Sequence, residues 1–97
     1  MRTHYESKDW LLLHIHTTSN EQNKAILASD NFNNYIVVDL NLAKDNTFYM
    51  AFDGTDCLMS EFELDEKYTI KVKLTINADD AIMEIGENEK VLFKRIQ

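Results

Sequence analysis

Two histidines, His14 and His16, are the residues whose type and spacing could do chemistry in this sequence. They lie in the stretch WLLLHIHT, whose composition predicts a β-strand. Residues two apart on a strand point to the same face, so both imidazoles would share one side of a sheet. A metal site needs at least a third ligand, and His4 is the only other histidine. We therefore expect the pair to lie partly exposed at a sheet rim, and we predict no metal site and no catalytic residue.

The strand that carries the pair is apolar on both faces near its start. Trp10 and Leu12 share the histidine face, and the opposite face carries Leu11, Leu13 and Ile15. Only the last part of the histidine face is polar. This strand is therefore expected to have apolar surroundings on both sides for much of its length.

Period-two alternation continues through the rest of the chain and predicts an all-β fold. In residues 68–76 the apolar side chains fall on one face, and lysines and threonines fall on the other, as in a half-buried strand. Residues 35–42 and 47–52 alternate in the same way. Short polar turns, such as the Asp-Gly turn in residues 53–56, join successive strands, which predicts antiparallel neighbours in a meander.

Six strands are predicted after residue 34, and residues 10–17 make a seventh. Between them, Ser19 and Gln22 have the spacing of a capping box, so we predict one short helix over residues 20–28, with a short strand around Ala25 to Leu27 as the alternative. The chain, residues 1–97, is expected to be a single domain. Short strands separated by turns at this spacing indicate a small antiparallel β-sandwich or a partly closed barrel.

The positions of the strands within the sheet can also be predicted. The strands around Val72 and Leu40 have the clearest apolar faces, so we expect them to lie centrally. Any edge strand left open would offer unpaired backbone groups, so a homodimer formed by edge-strand pairing is a candidate assembly.

Composition and charge exclude several classes of function. The 97 residues include 17 acidic and 10 basic side chains, giving a net charge of -7, which would repel nucleic acids and anionic membranes. Neither a signal peptide nor an apolar run of about 18 residues is evident, and the only cysteine is Cys57, so we expect a cytoplasmic protein. Acidic neighbours make Cys57 a poor nucleophile. Without a glycine-rich phosphate loop, no cofactor is expected.

The acidic residues are unevenly distributed along the chain. Between Lys44 and Lys67 there is no basic residue. Lys71 and Lys73 would offset the repulsion within this segment if the next hairpin placed them opposite its acids. Without that pairing, the acids would form a negative patch directed at a basic protein. We predict that the partner-binding residues are Asp53, Asp56, Glu61, Glu63, Asp65 and Glu66.

These features predict a small acidic protein-binding module and not an enzyme. We expect a bacterial immunity protein or inhibitor that neutralises a basic partner, such as a nuclease toxin, by covering its cationic active site. One alternative is a phage-encoded antagonist of a host nucleic-acid-binding enzyme. Another is a small carbohydrate- or ligand-binding β-domain, because YTIKVKLTI and AIMEIGENEKVLF resemble the paired late strands of jelly-roll lectin-like domains, where a short Glu-Asn-Glu turn is common.

Overall fold

A computed structural model describes residues 1–19, 21–29, 34–52, 59–63 and 70–97. Within these ranges the chain forms nine strands and no helix. The strands are β1 (Arg2–Glu6), β2 (Trp10–His16), β3 (Asn23–Ser29), β4 (Asn34–Asp39), β5 (Thr47–Phe52), β6 (Met59–Glu63), β7 (Ile70–Ile76), β8 (Asp80–Ile85) and β9 (Glu89–Arg95).

The strands form one antiparallel sheet in the order β4-β3-β2-β1-β9-β8-β7-β5-β6. Two meanders, β1 to β4 and β7 to β9, are joined where β1 pairs with β9. The sheet is strongly curled, and its two end strands, β4 and β6, contact each other. The predicted small, meander-rich all-β fold is therefore confirmed.

The helix predicted over residues 20–28 is wrong, because the described part of this segment contains β3. Ala25 and Leu27 face the core, while Ile26, between them, is only half-buried. This alternation has the period of a strand. Pairing with β2 on one side and β4 on the other supplies hydrogen-bond partners along both edges of β3. These ladders outweigh the few local bonds of a capping box.

The two strands expected at the centre of the sheet have different positions. β7, which carries Val72, lies between β8 and β5, as expected. The run leading to Leu40 is β4, which lies at one end of the strand order, so its predicted central position is wrong. Its apolar face is buried all the same, because Ile36 and Val38 belong to the core that the curled sheet encloses. Leu40 follows β4 in a turn and is only 4% exposed.

The core fills the concave side of the curled sheet. Strands from both meanders and β5 contribute one face each, in keeping with period-two alternation. The largest fully buried side chains are Phe48, Phe93, Leu12, Leu27, Leu74, Met83, Val38 and Val72. The side chains on the convex outer face of the described strands point away from this core.

Candidate functional site

The histidine pair lies on the core-facing side of β2, towards the end of the strand. Both side chains are half-buried, and their rings stack with centroids 4.5 Å apart and planes at 21°. Nε2 of His14 lies 2.7 Å from Oδ1 of Asn23 on β3. Because an amide oxygen only accepts, this ring nitrogen donates. His14 and His16 thus share one face of β2, as expected. The neighbour that His14 contacts on this face is the side-chain amide of Asn23.

Nothing in the described ranges completes a metal site around this pair, since no group of three or more histidine, cysteine or acidic side chains there could hold an ion. In register, His14 lies between Thr3 of β1 and Ala25 of β3. These neighbours leave Asn23 as the one described hydrogen-bond partner of His14. The arrangement favours a structural role for His14, sensitive to protonation.

Burial lowers the pKa of His14 from its ordinary value of 6.5. The hydrogen bond with Asn23 acts in the opposite direction, and the neighbouring His16 lowers the pKa further. The balance favours a neutral imidazole in the folded protein.

We expect the free energy of unfolding to decrease as the pH falls below 6.5 because of His14. Above that pH the contribution of this residue is complete. It is lost as the pH falls to and through the lower folded-state pKa, since the unfolded chain binds the proton more readily. Urea unfolding between about pH 5 and pH 8 measures this slope. His14→Gln should flatten it and His4→Gln should not; the reverse result would contradict the assignment.

Two of the six predicted partner-binding acids fall on β6, at one end of the strand order. Glu61 and Glu63 lie on this strand, and Glu63 is opposite Tyr49 of β5 in the backbone register. The other four predicted residues, and Cys57, lie outside the described residues: Asp53, Asp56, Asp65 and Glu66.

Lys71 and Lys73 do not lie opposite the acids of β6. β6 occupies one edge of β5 and β7 occupies the other, so a whole strand separates the lysines from Glu63. Lys73 lies opposite Glu84 of β8 instead. The cross-hairpin arrangement that would have offset the acidic repulsion therefore does not occur.

The outer face of β1 to β4 has an apolar centre, which no motif in the sequence predicted as a site. The register places Val37, Ile26, Leu13 and His4 in one row across four strands. Ile96 continues the row, since its backbone N–H donates to the His4 carbonyl at 2.8 Å. We call this surface the apolar face; it comprises Tyr35, Val37, Ile26, Leu11, Leu13, Ile15, His4 and Ile96.

The apolar face is accessible and contains a recess. Tyr35 is 58% exposed, Val37 42% and Ile96 53%. A cavity of about 290 Å³ opens among side chains that include Leu13, Ile26 and Ile96. Contiguous exposed apolar surface of this kind marks interaction sites in soluble proteins. The sequence feature that indicates this surface is β2, a strand that is apolar on both faces.

The outer face of β7 to β9 contrasts with the apolar face. Lys73, Glu84 and Lys90 lie side by side in the register, so charge alternates in sign across the three strands. Opposite charges on neighbouring strands are typical of a solvated sheet surface. Ile82 and Leu92 lie in the next row, so this outer face mixes charged and apolar side chains.

Comparison with known proteins finds no relative: no family model matches the sequence, and no curated protein or solved structure matches it. Among the described residues, no helix has the length and apolar character needed to cross a membrane. The function must therefore be inferred from the residues of this chain and their arrangement.

Proposed function

We propose that this chain is a small, non-enzymatic protein-binding module that inhibits a basic partner, such as a nuclease toxin, by covering its cationic active site. This is the role of an immunity protein in the cytoplasm of a bacterial cell. One observation carries the proposal: between Lys44 and Lys67 the chain holds seven acidic residues and no basic one.

The neighbours of β6 support this proposal. β5 pairs with β6, and β4 contacts it. Neither Thr47–Phe52 nor Asn34–Asp39 contains a lysine or an arginine. The strands next to β6 therefore contribute no lysine or arginine, and the excess negative charge of the segment would attract a cationic active site.

Carboxylates can substitute for nucleic-acid phosphates because both are anionic hydrogen-bond acceptors that pair with arginine and lysine. An acidic surface also accelerates the encounter with a basic protein through long-range attraction. Fast capture suits an inhibitor of a lethal enzyme. Both effects weaken as salt screens the charges.

The test measures inhibition of nucleic-acid cleavage by purified basic nucleases, beginning with any encoded beside the gene for this chain. Inhibition should weaken when NaCl is raised from about 50 to about 500 mM. The double variant Glu61→Gln/Glu63→Gln should inhibit at least about tenfold less well than the unaltered chain.

The matched control is Glu87→Gln/Glu89→Gln, which removes the same amount of charge from exposed positions around the start of β9. It should inhibit almost as well as the unaltered chain. Equal losses for the two double variants, salt-independent inhibition, or no inhibition of any nuclease would contradict the proposal.

A further inference from the structure

The apolar face is flanked by charged side chains of both signs. One row of the register runs from Asp39 through Lys24 and Ile15 to Arg2, so an acid and a base lie at its two ends. On the other side of the central row, Tyr35 of β4 and Glu6 of β1 lie at the ends of a parallel row. All of these side chains are at least partly accessible.

The charges of these flanking rows cancel, although the whole chain carries -7. Arg2 and Lys24 supply two positive charges, and Glu6 and Asp39 supply two negative ones. A neutral apolar surface on an acidic protein gives a basic partner no attraction at this position. An anionic membrane would repel the chain as a whole. The occupant should therefore match the face in both apolar character and balanced charge.

We propose that the occupant is a second copy of this chain, packed face to face about a two-fold axis that runs parallel to the strands between β2 and β3. Aligned packing is one of the two common arrangements for stacked sheets. The axis brings β1 of one copy over β4 of the other while keeping each row opposite itself. The resulting contact is isologous, so every pairing occurs twice.

This symmetry gives Arg2 and Glu6 partners across the contact, whereas Lys24 lies over Ile15 of the second copy and keeps Asp39 of its own copy as its neighbour in the row. Arg2 of one copy meets Asp39 of the second copy, and Glu6 meets the hydroxyl of Tyr35. Few other arrangements would satisfy both rows at once, because the acid and the base lie at opposite ends of the same row. Complementary charges at the rim fix the register of such an interface.

The same operation fills the apolar centre. Ile26 meets Leu13 of the second copy, and Val37 lies over His4, beside the cavity. Apolar side chains from each copy would thereby cover the recess of the other. Burial of this central row supplies the main attraction, and the rim pairs select the orientation.

The size of the apolar face sets the strength of this dimer. The four overlapping strands and five residues along each correspond to roughly 19 by 17 Å, or about 320 Å² per copy. Standard interfaces bury about 800 Å² per partner. This small area, together with the repulsion between two chains that each carry -7, predicts a weak dimer with a dissociation constant of about 10 to 100 μM.

Sedimentation equilibrium of the full chain from about 5 μM to about 1 mM tests the proposal first. The unaltered protein should pass from monomer to dimer. Val37→Lys should weaken dimerisation at least about tenfold, because it places a charge against His4 and the apolar centre. Leu92→Lys is the matched control, since Leu92 is 67% exposed on β9 and lies outside the apolar face; it should dimerise almost as well as the unaltered chain.

A charge-reversal pair then tests the orientation. Arg2→Glu alone and Asp39→Lys alone should each weaken dimerisation about tenfold, because each creates two like-charge contacts. Mixed in equal amounts, the two variants should form a heterodimer about as tight as the original dimer. In that heterodimer the introduced glutamate of one copy faces the introduced lysine of the other, and the second Arg2–Asp39 pair is intact. Recovery on mixing cannot arise from misfolding of either variant.

Asp39 Oδ1 also accepts a hydrogen bond from the Asn41 N–H at 3.0 Å. Asp39→Asn keeps this acceptor, loses the charge, and should weaken the dimer by a smaller factor of about three. A protein that stays monomeric to about 1 mM, a Val37→Lys variant that dimerises like the Leu92→Lys control, or a mixture no tighter than its components would each overturn the proposal. If the protein dimerised by edge-strand pairing instead, Val37→Lys would dimerise like the Leu92→Lys control.

Discussion

Replacing Phe93 with alanine is expected to lower the free energy of unfolding by about 3–5 kcal/mol. Phe93 is 1% exposed and lies in β9, the strand through which the two meanders pair. The residue opposite it on β8 is Ala81, whose side chain is too small to fill the space left by the ring. The cavity would therefore persist, which is the condition for a loss near the upper end of the range.

Urea unfolding followed by the fluorescence of Trp10, the only tryptophan, measures this loss. Leu92→Ala is the matched control, because Leu92 precedes Phe93 on the same strand and is 67% exposed. It should change the free energy of unfolding by no more than about 0.5 kcal/mol. If Phe93→Ala fails to fold, Phe93→Leu should still cost about 1 kcal/mol. Equal losses at the two positions would contradict the inward orientation of Phe93.

The faces of single strands were predictable from the sequence, because alternation reports burial directly. In β7, Val72 and Leu74 are buried as the pattern predicts, and Lys71 and Lys73 are exposed. Each strand of an antiparallel sheet with one buried face carries this information within a few residues. The all-β class followed from several such runs taken together.

The strand order was not predictable, because it depends on pairings between distant segments. A short link after β6 suggests a hairpin with β7, yet β7 pairs with the opposite edge of β5. A local pattern specifies which face of a strand is buried and leaves open which neighbour pairs with it. Glu63 and Lys71 are separated by β5 because of this pairing, so their separation could not be predicted from the sequence.

The apolar face could not be predicted from the sequence for the same reason. Val37, Ile26 and Leu13 belong to three strands, and only the register places them in one row. In the sequence each is one apolar residue among several on its own strand. The single visible signal was β2, where Leu11 and Leu13 oppose a second apolar face. A strand buried on one side and apolar on the other indicates an interaction surface once its neighbours share the pattern.

The segment that forms β3 shows how local and distant preferences compete. Alanine and leucine favour helices, and the capping-box spacing adds a local start signal. The segment is nevertheless paired along both edges, with β2 and with β4. A helix would bury one side of the segment only, whereas the strand adds Ala25 and Leu27 to the core and Ile26 to the apolar face.

Leu27→Ala is therefore expected to lower the free energy of unfolding by about 2–5 kcal/mol. Leu27 has no exposed surface, and the register places it between Leu12 of β2 and Ile36 of β4, both in the core. Its neighbour Ile26 is half-buried on the outer face, so Ile26→Ala should cost about 1 kcal/mol or less.

Denaturant unfolding of both variants should be measured at about 1 μM protein, where a weak dimer contributes nothing to stability. Adjacent residues on a strand point in opposite directions, whereas adjacent residues on a helix are only about 100° apart. Similar losses at residues 26 and 27 would therefore favour a helix in this segment. A large loss at Leu27 with a small one at Ile26 is the result expected for the strand, which places Ile26 in one row with Val37 and Leu13 on the apolar face.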